Sequence, residues 1–113
     1  MQKFMLIIRE DLKRMEELRQ SMRNENIREM VQWIEGLSQS GHYAHGEPLT
    51  GEGAFVSKEN IATDGPFIEA KESISGYIMV NAENLAQATS IAQTCPVVLR
   101  AQASVEIRPI LVY

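Results

Sequence analysis

The stretch Phe4-Met5-Leu6-Ile7-Ile8 is apolar at every position and stops abruptly at Arg9. Five residues are too few for a helix, and the lack of alternation predicts a strand with apolar surroundings on both faces. Phe4, Leu6 and Ile8 then project to one side of a sheet, Met5 and Ile7 to the other. Leaving either set in water would cost about 1.5 to 3 kcal/mol per large side chain. A marginally stable domain does not tolerate that, so both faces of this strand need a cover.

From residue 10 to residue 40 the pattern takes a helical period. Leu12, Met15, Leu18 and Met22 recur at steps of three and four, and Ile27, Met30, Val31, Ile34 and Leu37 do so more cleanly. Asn24-Glu25-Asn26 interrupts the stripe, which predicts a short first helix or turn and then a long helix ending at Gly41, where glycine supplies a left-handed cap. Trp33 lies off the stripe and is expected to cover a helix edge, or else to line a subunit contact.

Residues 42–50 read as a modest strand, and residues 54–57 and 60–63 as a short hairpin around Lys58-Glu59. Asp64-Gly65-Pro66 must turn, because glycine accepts unusual backbone angles and proline fixes φ and has no N–H. Phe67, Glu69, Lys71 and Glu72 follow closely. Residues 73–80 form a second strong strand, with Ile74, Ile78 and Val80 expected on one face and Tyr77 and Met79 on the other. Residues 81–94 predict a helix with Asn84 and Gln87 as a capping pair, ended by Pro96. In the last strand, residues 104–113, Val105 and Ile107 oppose Glu106 and Arg108, and Pro109 places it at a sheet edge.

This order of elements is that of an α+β, ferredoxin-like split βαβ fold with an extra hairpin. The two most apolar strands are its middle pair. Two helices cover one face of such a sheet, so the second face of the 4–8 run calls for another cover. The expected cover is a second copy, sheet against sheet, which makes the chain a homodimer.

At 113 residues, without a linker, the chain reads as one domain over residues 1–113. Its net charge of −4 argues against nucleic acid, since the basic side chains of the helical region alternate with acidic ones and form a solvated face. The single cysteine, Cys95, excludes an internal disulfide and, with no basic-apolar leader at Met1, fits a reducing cytoplasm. No apolar run approaches the ~20 residues of a membrane helix. No phosphate loop, nucleophile elbow or zinc signature is present, so neither a metal nor a cofactor is expected.

Asp64-Gly65-Pro66-Phe67 with Glu69 and Lys71-Glu72, then Gly76-Tyr77, Cys95-Pro96 and Val105-Glu106-Ile107-Arg108-Pro109 together resemble the DGPF-containing branch of the YCII-related family, over essentially the whole chain. The resemblance implies a dimeric α+β barrel, architecturally related to muconolactone isomerases and antibiotic monooxygenases. One branch of that family resembles dehydrochlorinases of chlorinated hydroxyquinols, and members have been proposed to use a His/Asp acid–base pair. Here Ser75-Gly76 stands where the family commonly has two glycines. The helical histidine of the pair is absent, since His42 and His45 both follow the first helical region.

Asp64 is the candidate general base, and an aspartate before Gly-Pro equally stabilises its own turn. Tyr77 and His45 are candidates to polarise a substrate, Tyr77 being also a natural core or cavity-lining residue. Glu69, Lys71 and Glu72 are candidate binding groups at a pocket mouth, because as exposed ion pairs they would contribute only ~0 to 1 kcal/mol to stability. His42 is a further binding candidate; three residues from His45 on a strand it would face the other way, which disfavours a shared metal. Arg9 and Arg108 complete the binding set, with Glu106 expected to join them in one network. Cys95, on the apolar side of a helix end, reads as a buried thiol. Two functions fit these residues: an acid–base enzyme of isomerase or lyase type acting on a small metabolite, or a non-catalytic dimeric module that binds a small ligand or a protein.

Overall fold

The computed structural model describes residues 1–59, 61–62 and 73–113; the central turn with Asp64-Gly65-Pro66-Phe67 lies outside them. Strand β1 (Gln2–Glu10) is followed by helices α1 (Leu12–Glu17) and α2 (Gln20–Gln39) and by strand β2 (Tyr43–Pro48). The short strands β3 (Phe55–Val56) and β4 (Ile61–Ala62) pair as a hairpin. Strand β5 (Ser73–Ala82), helices α3 (Leu85–Gln93) and α4 (Pro96–Leu99), and strand β6 (Ala103–Pro109) complete the chain.

The main sheet runs β2-β5-β1-β6, antiparallel throughout. The two most apolar strands occupy its centre and the proline-bearing strand its edge, as the split βαβ pattern requires. Phe4, Leu6, Ile8, Ile78, Val80 and Ala82 bury under the helices, together with Leu37 of α2 and Ala88, Ile91 and Ala92 of α3. The other face carries Met5, Ile7 and Tyr77, each half-buried, and the buried Met79.

Helix α2 ends in a Schellman turn. Gly41 sits in the left-handed region with φ 80°. Its N–H donates to Ser38 O, and the N–H of His42 donates to Leu37 O at 2.9 Å. At the start of α3, Gln87 N donates to Asn84 Oδ1 at 2.9 Å, and the Gln87 side chain accepts from Glu83 N at 2.6 Å.

Four local expectations are corrected. The helical break falls at Leu18 and Arg19, and α2 runs through Asn24-Glu25-Asn26, because the two asparagine side chains bond elsewhere than to their own backbone. Residues 81 and 82 belong to β5, and Pro96 opens α4 at its first position instead of simply ending a helix. Ile74 leaves the core face: β5 bulges at Ser75, which sets Ile74 opposite Arg9 and leaves it 43% exposed.

Candidate functional site

The apolar stripe of α2 divides into two halves. Leu37 is buried and Met30 and Trp33 pack on the core, with Trp33 Nε1 donating to Thr94 Oγ1 at 2.8 Å across to the end of α3. The preceding turns stand off the sheet, so that Ile27 and Val31 are 63% and 49% exposed. Beneath them, on the helix-facing side of adjacent strands, lie Gly46 of β2 and Gly76 of β5. Neither glycine puts a side chain into the gap. The result is a cavity of about 500 Å³ bounded by α1, α2, the ends of β1 and β2, and the start of β5.

Its walls are mainly apolar: Ile8, Met15, Ile27, Met30, Val31 and Ile34 contribute, and a few polar groups join them. Glu10, at the end of β1, and Arg23, in the first turns of α2, also line it. The Arg23 guanidinium donates to the carbonyl of Glu16, while its Nε is shut off from water and has no partner among the described residues. Asn26, one turn further along α2, is buried, its Oδ1 accepting from Arg100 at 2.6 Å and its Nδ2 donating to Gln102 at 2.8 Å. Arg100 is held in turn by Glu29 at 2.6 Å and Glu25 at 3.2 Å. An apolar cavity with a few fixed polar groups is the usual build of a small-molecule site.

Asp64, Glu69, Lys71 and Glu72 lie outside the described residues. Tyr77 borders the cavity, but strand alternation turns its ring to the opposite side from Ile78. There it meets the ring of His45 edge-on, with centroids 6.0 Å apart and an interplanar angle of 80°. The sheet thus unites two of the candidates on its second face. His42 lies apart from them, its Nδ1 at 2.7 Å from the carbonyl of Asn81.

Arg9 and Arg108 also belong to the second face, and both engage Glu106, at 3.1 and 3.3 Å. Hydrogen bonds from Arg9 and then Arg108 hold the Glu106 carboxyl below its ordinary pKa. Cys95 is fully buried, with Sγ 3.8 Å from Met30 Sδ. Burial pushes its thiol pKa up, backbone N–H groups of Val98 and Val97 oppose the shift, and the charge of Glu10 adds to it. Among the described residues no three His, Cys, Asp or Glu cluster so as to hold a metal, and no helix is long and apolar enough to cross a membrane.

Glu10, Arg23 and Asn26 escaped the reading of the sequence because they sit in its charged and polar stretch. One signal was available. Arg23, Asn26, Met30 and Ile34 follow one another at steps of three and four, so the polar pair continues the apolar stripe instead of opposing it.

The solved structure of 5-chloro-2-hydroxyhydroquinone dehydrochlorinase from Burkholderia phenoliruptrix, in complex with 2,5-dihydroxybenzoquinone, is similar over 96% of this chain and 93% of that one. Its TM-score is 0.56 and its identity 15%, a likeness of fold. No curated protein matches the chain. A sequence model of the YCII-related domain matches residues 3–112, which is nearly the whole length. The chain belongs to the YCII-related domain family.

Proposed function

We propose that the cavity between α2 and the sheet binds a small, ring-sized metabolite carrying oxygen substituents, and that the protein performs acid–base chemistry on it. The observation that carries this reading is the apolar cavity of about 500 Å³ whose lining includes Glu10, Arg23 and Asn26. The dehydrochlorinase of similar fold, whose structure holds a dihydroxylated quinone, supports the same class of ligand.

A carboxylate and a guanidinium lining one mainly apolar cavity can share a proton-transfer step. The Glu10 carboxylate would take a proton from a carbon beside a carbonyl, and the Arg23 guanidinium would stabilise the enolate oxygen that forms. Return of the proton to another carbon completes an isomerisation; loss of a leaving anion completes an elimination. Asp64 is a second candidate base. We also propose that the half-buried second face of the sheet is covered by a second copy of the chain.

A second reading is a non-catalytic ligand-binding module. It is favoured by the observation that neither histidine lines the cavity. Titration with 2,5-dihydroxybenzoquinone, followed by its visible absorbance, tests both. Binding to the wild type that is lost in Ile34→Trp, which fills the chamber, supports the site; equal binding by both variants removes it. Turnover of a bound hydroxylated aromatic that disappears in Glu10→Gln, with binding kept, supports the enzyme; binding without any turnover favours the module.

A further inference from the structure

Asn26 is 6% exposed and, among the described residues, the one buried polar or charged residue. It sits in the middle of α2, on the stripe that otherwise carries Met30 and Leu37. The orientation of its amide is fixed by chemistry. Arg100 can only donate, so the atom facing it at 2.6 Å must be Oδ1. The amino group must then face Gln102 Oε1, at 2.8 Å. Turning the amide over would set N–H against N–H.

An asparagine amino group has two N–H bonds, and Gln102 takes one of them. The other has no acceptor among the described residues, and Asn26 lines the cavity. A role in joining α2 to the turn after α4 explains the Arg100 and Gln102 bonds but leaves this donor without an acceptor among the described residues. A buried donor without an acceptor is costly, so an acceptor supplied by a ligand gains selectively.

We propose that Asn26 is the specificity-determining residue of the cavity: its second N–H donates to a carbonyl or hydroxyl oxygen on an otherwise apolar, ring-sized ligand. This rests on the cavity being the binding site. Arg100 acts as a positioning residue, because Glu25 and Glu29 hold the guanidinium that fixes the amide. A ligand of the same shape with a carbon in place of that oxygen leaves the donor unpaired and is rejected.

The test uses two matched fluorescent probes, 2-acetylnaphthalene and 2-isopropenylnaphthalene, which differ by C=O against C=CH₂. Dissociation constants are measured for the wild type, Asn26→Leu, Asn26→Asp and the chamber-filling Ile34→Trp. Asn26→Asp keeps the size and the acceptor for Arg100 but has no N–H, so it decides the question if Asn26→Leu does not fold. The expected result is that the ratio of the two constants moves about tenfold toward the hydrocarbon in both Asn26 variants. An unchanged ratio in a folded Asn26→Asp overturns the proposal while the cavity reading stands. Binding of neither probe by the wild type, or undiminished binding by Ile34→Trp, overturns both.

Discussion

Across the β2–β5 pair Gly46 approaches Tyr77 so closely that a Cβ at position 46 would stand 2.6 Å from the Tyr77 carbonyl oxygen. The obstacle is backbone, which cannot swing aside like the end of a long side chain. Gly76, on the neighbouring strand, is only slightly freer, its Cβ position lying 3.0 Å from the carbonyl of Glu47. These glycines let the strands pair tightly and add no side chain to the cavity floor. Gly46→Ala is expected to destabilise the fold by about 1 to 3 kcal/mol, the usual cost of forcing extra atoms into a packed site. Urea unfolding measures it, and a change within about 0.5 kcal/mol, the range of an ordinary surface substitution, would contradict the close approach.

Ala101 adopts φ 57° at the end of α4. There the N–H of Gln102 donates to Val97 O and that of Ala101 to Val98 O, both at 2.9 Å. This is the same turn that Gly41 makes after α2, built here with a Cβ in the left-handed region. That conformation costs an alanine about 1 to 2 kcal/mol, and glycine escapes it while losing more chain entropy on folding. Ala101→Gly is therefore expected to stabilise the protein by about 0.5 to 1 kcal/mol, read as a higher urea midpoint with an unchanged slope.

The contrast between these turns shows what the residues disclose in advance. Gly41 announces its conformation, and so do the apolar runs of β1 and β5 and the edge proline of β6, because each carries a local constraint that any context must respect. The bulge at Ser75 and the left-handed Ala101 carry no such mark, since pairing with β1 and the closing of α4 impose them from outside. The cavity was hidden for a related reason. Ile27 and Val31 have the spacing of core residues, yet they form cavity walls above Gly46 and Gly76, which lie far off in the sequence. The candidates at Asp64, Glu69, Lys71 and Glu72 lie outside the described residues, while His45 and Tyr77 were found as a pair on the face away from the cavity.

Glu106 offers a pH test with a definite sign. Its folded pKa lies below the ordinary glutamate value because Arg9 and Arg108 bond the charged form. Its contribution is thus present above the unfolded-state pKa and is lost as pH falls through the folded value. Between neutrality and mild acid the wild type is expected to lose stability more steeply than Glu106→Gln. Both residues of each pair are well exposed, so the difference should be small and should shrink in molar salt. Parallel stability–pH curves for the two proteins would remove Glu106 from any such role.

Ile7 lies between Tyr77 on one side and Glu106 on the other in the sheet register, at the centre of the second face. If a twin subunit covers that face, both copies bring Ile7 into the interface, and a charge placed there would be buried without a partner. Ile7→Lys is then expected to weaken association by a hundredfold or more, since uncompensated buried charge costs on the order of 3 to 5 kcal/mol. Sedimentation velocity at micromolar concentration should show a dimer for the wild type and a folded monomer for the variant, with circular dichroism confirming the fold. A wild type that sediments as a monomer would leave Met5, Ile7 and Tyr77 half-exposed to water in solution, and the sheet-to-sheet pairing would have to be abandoned.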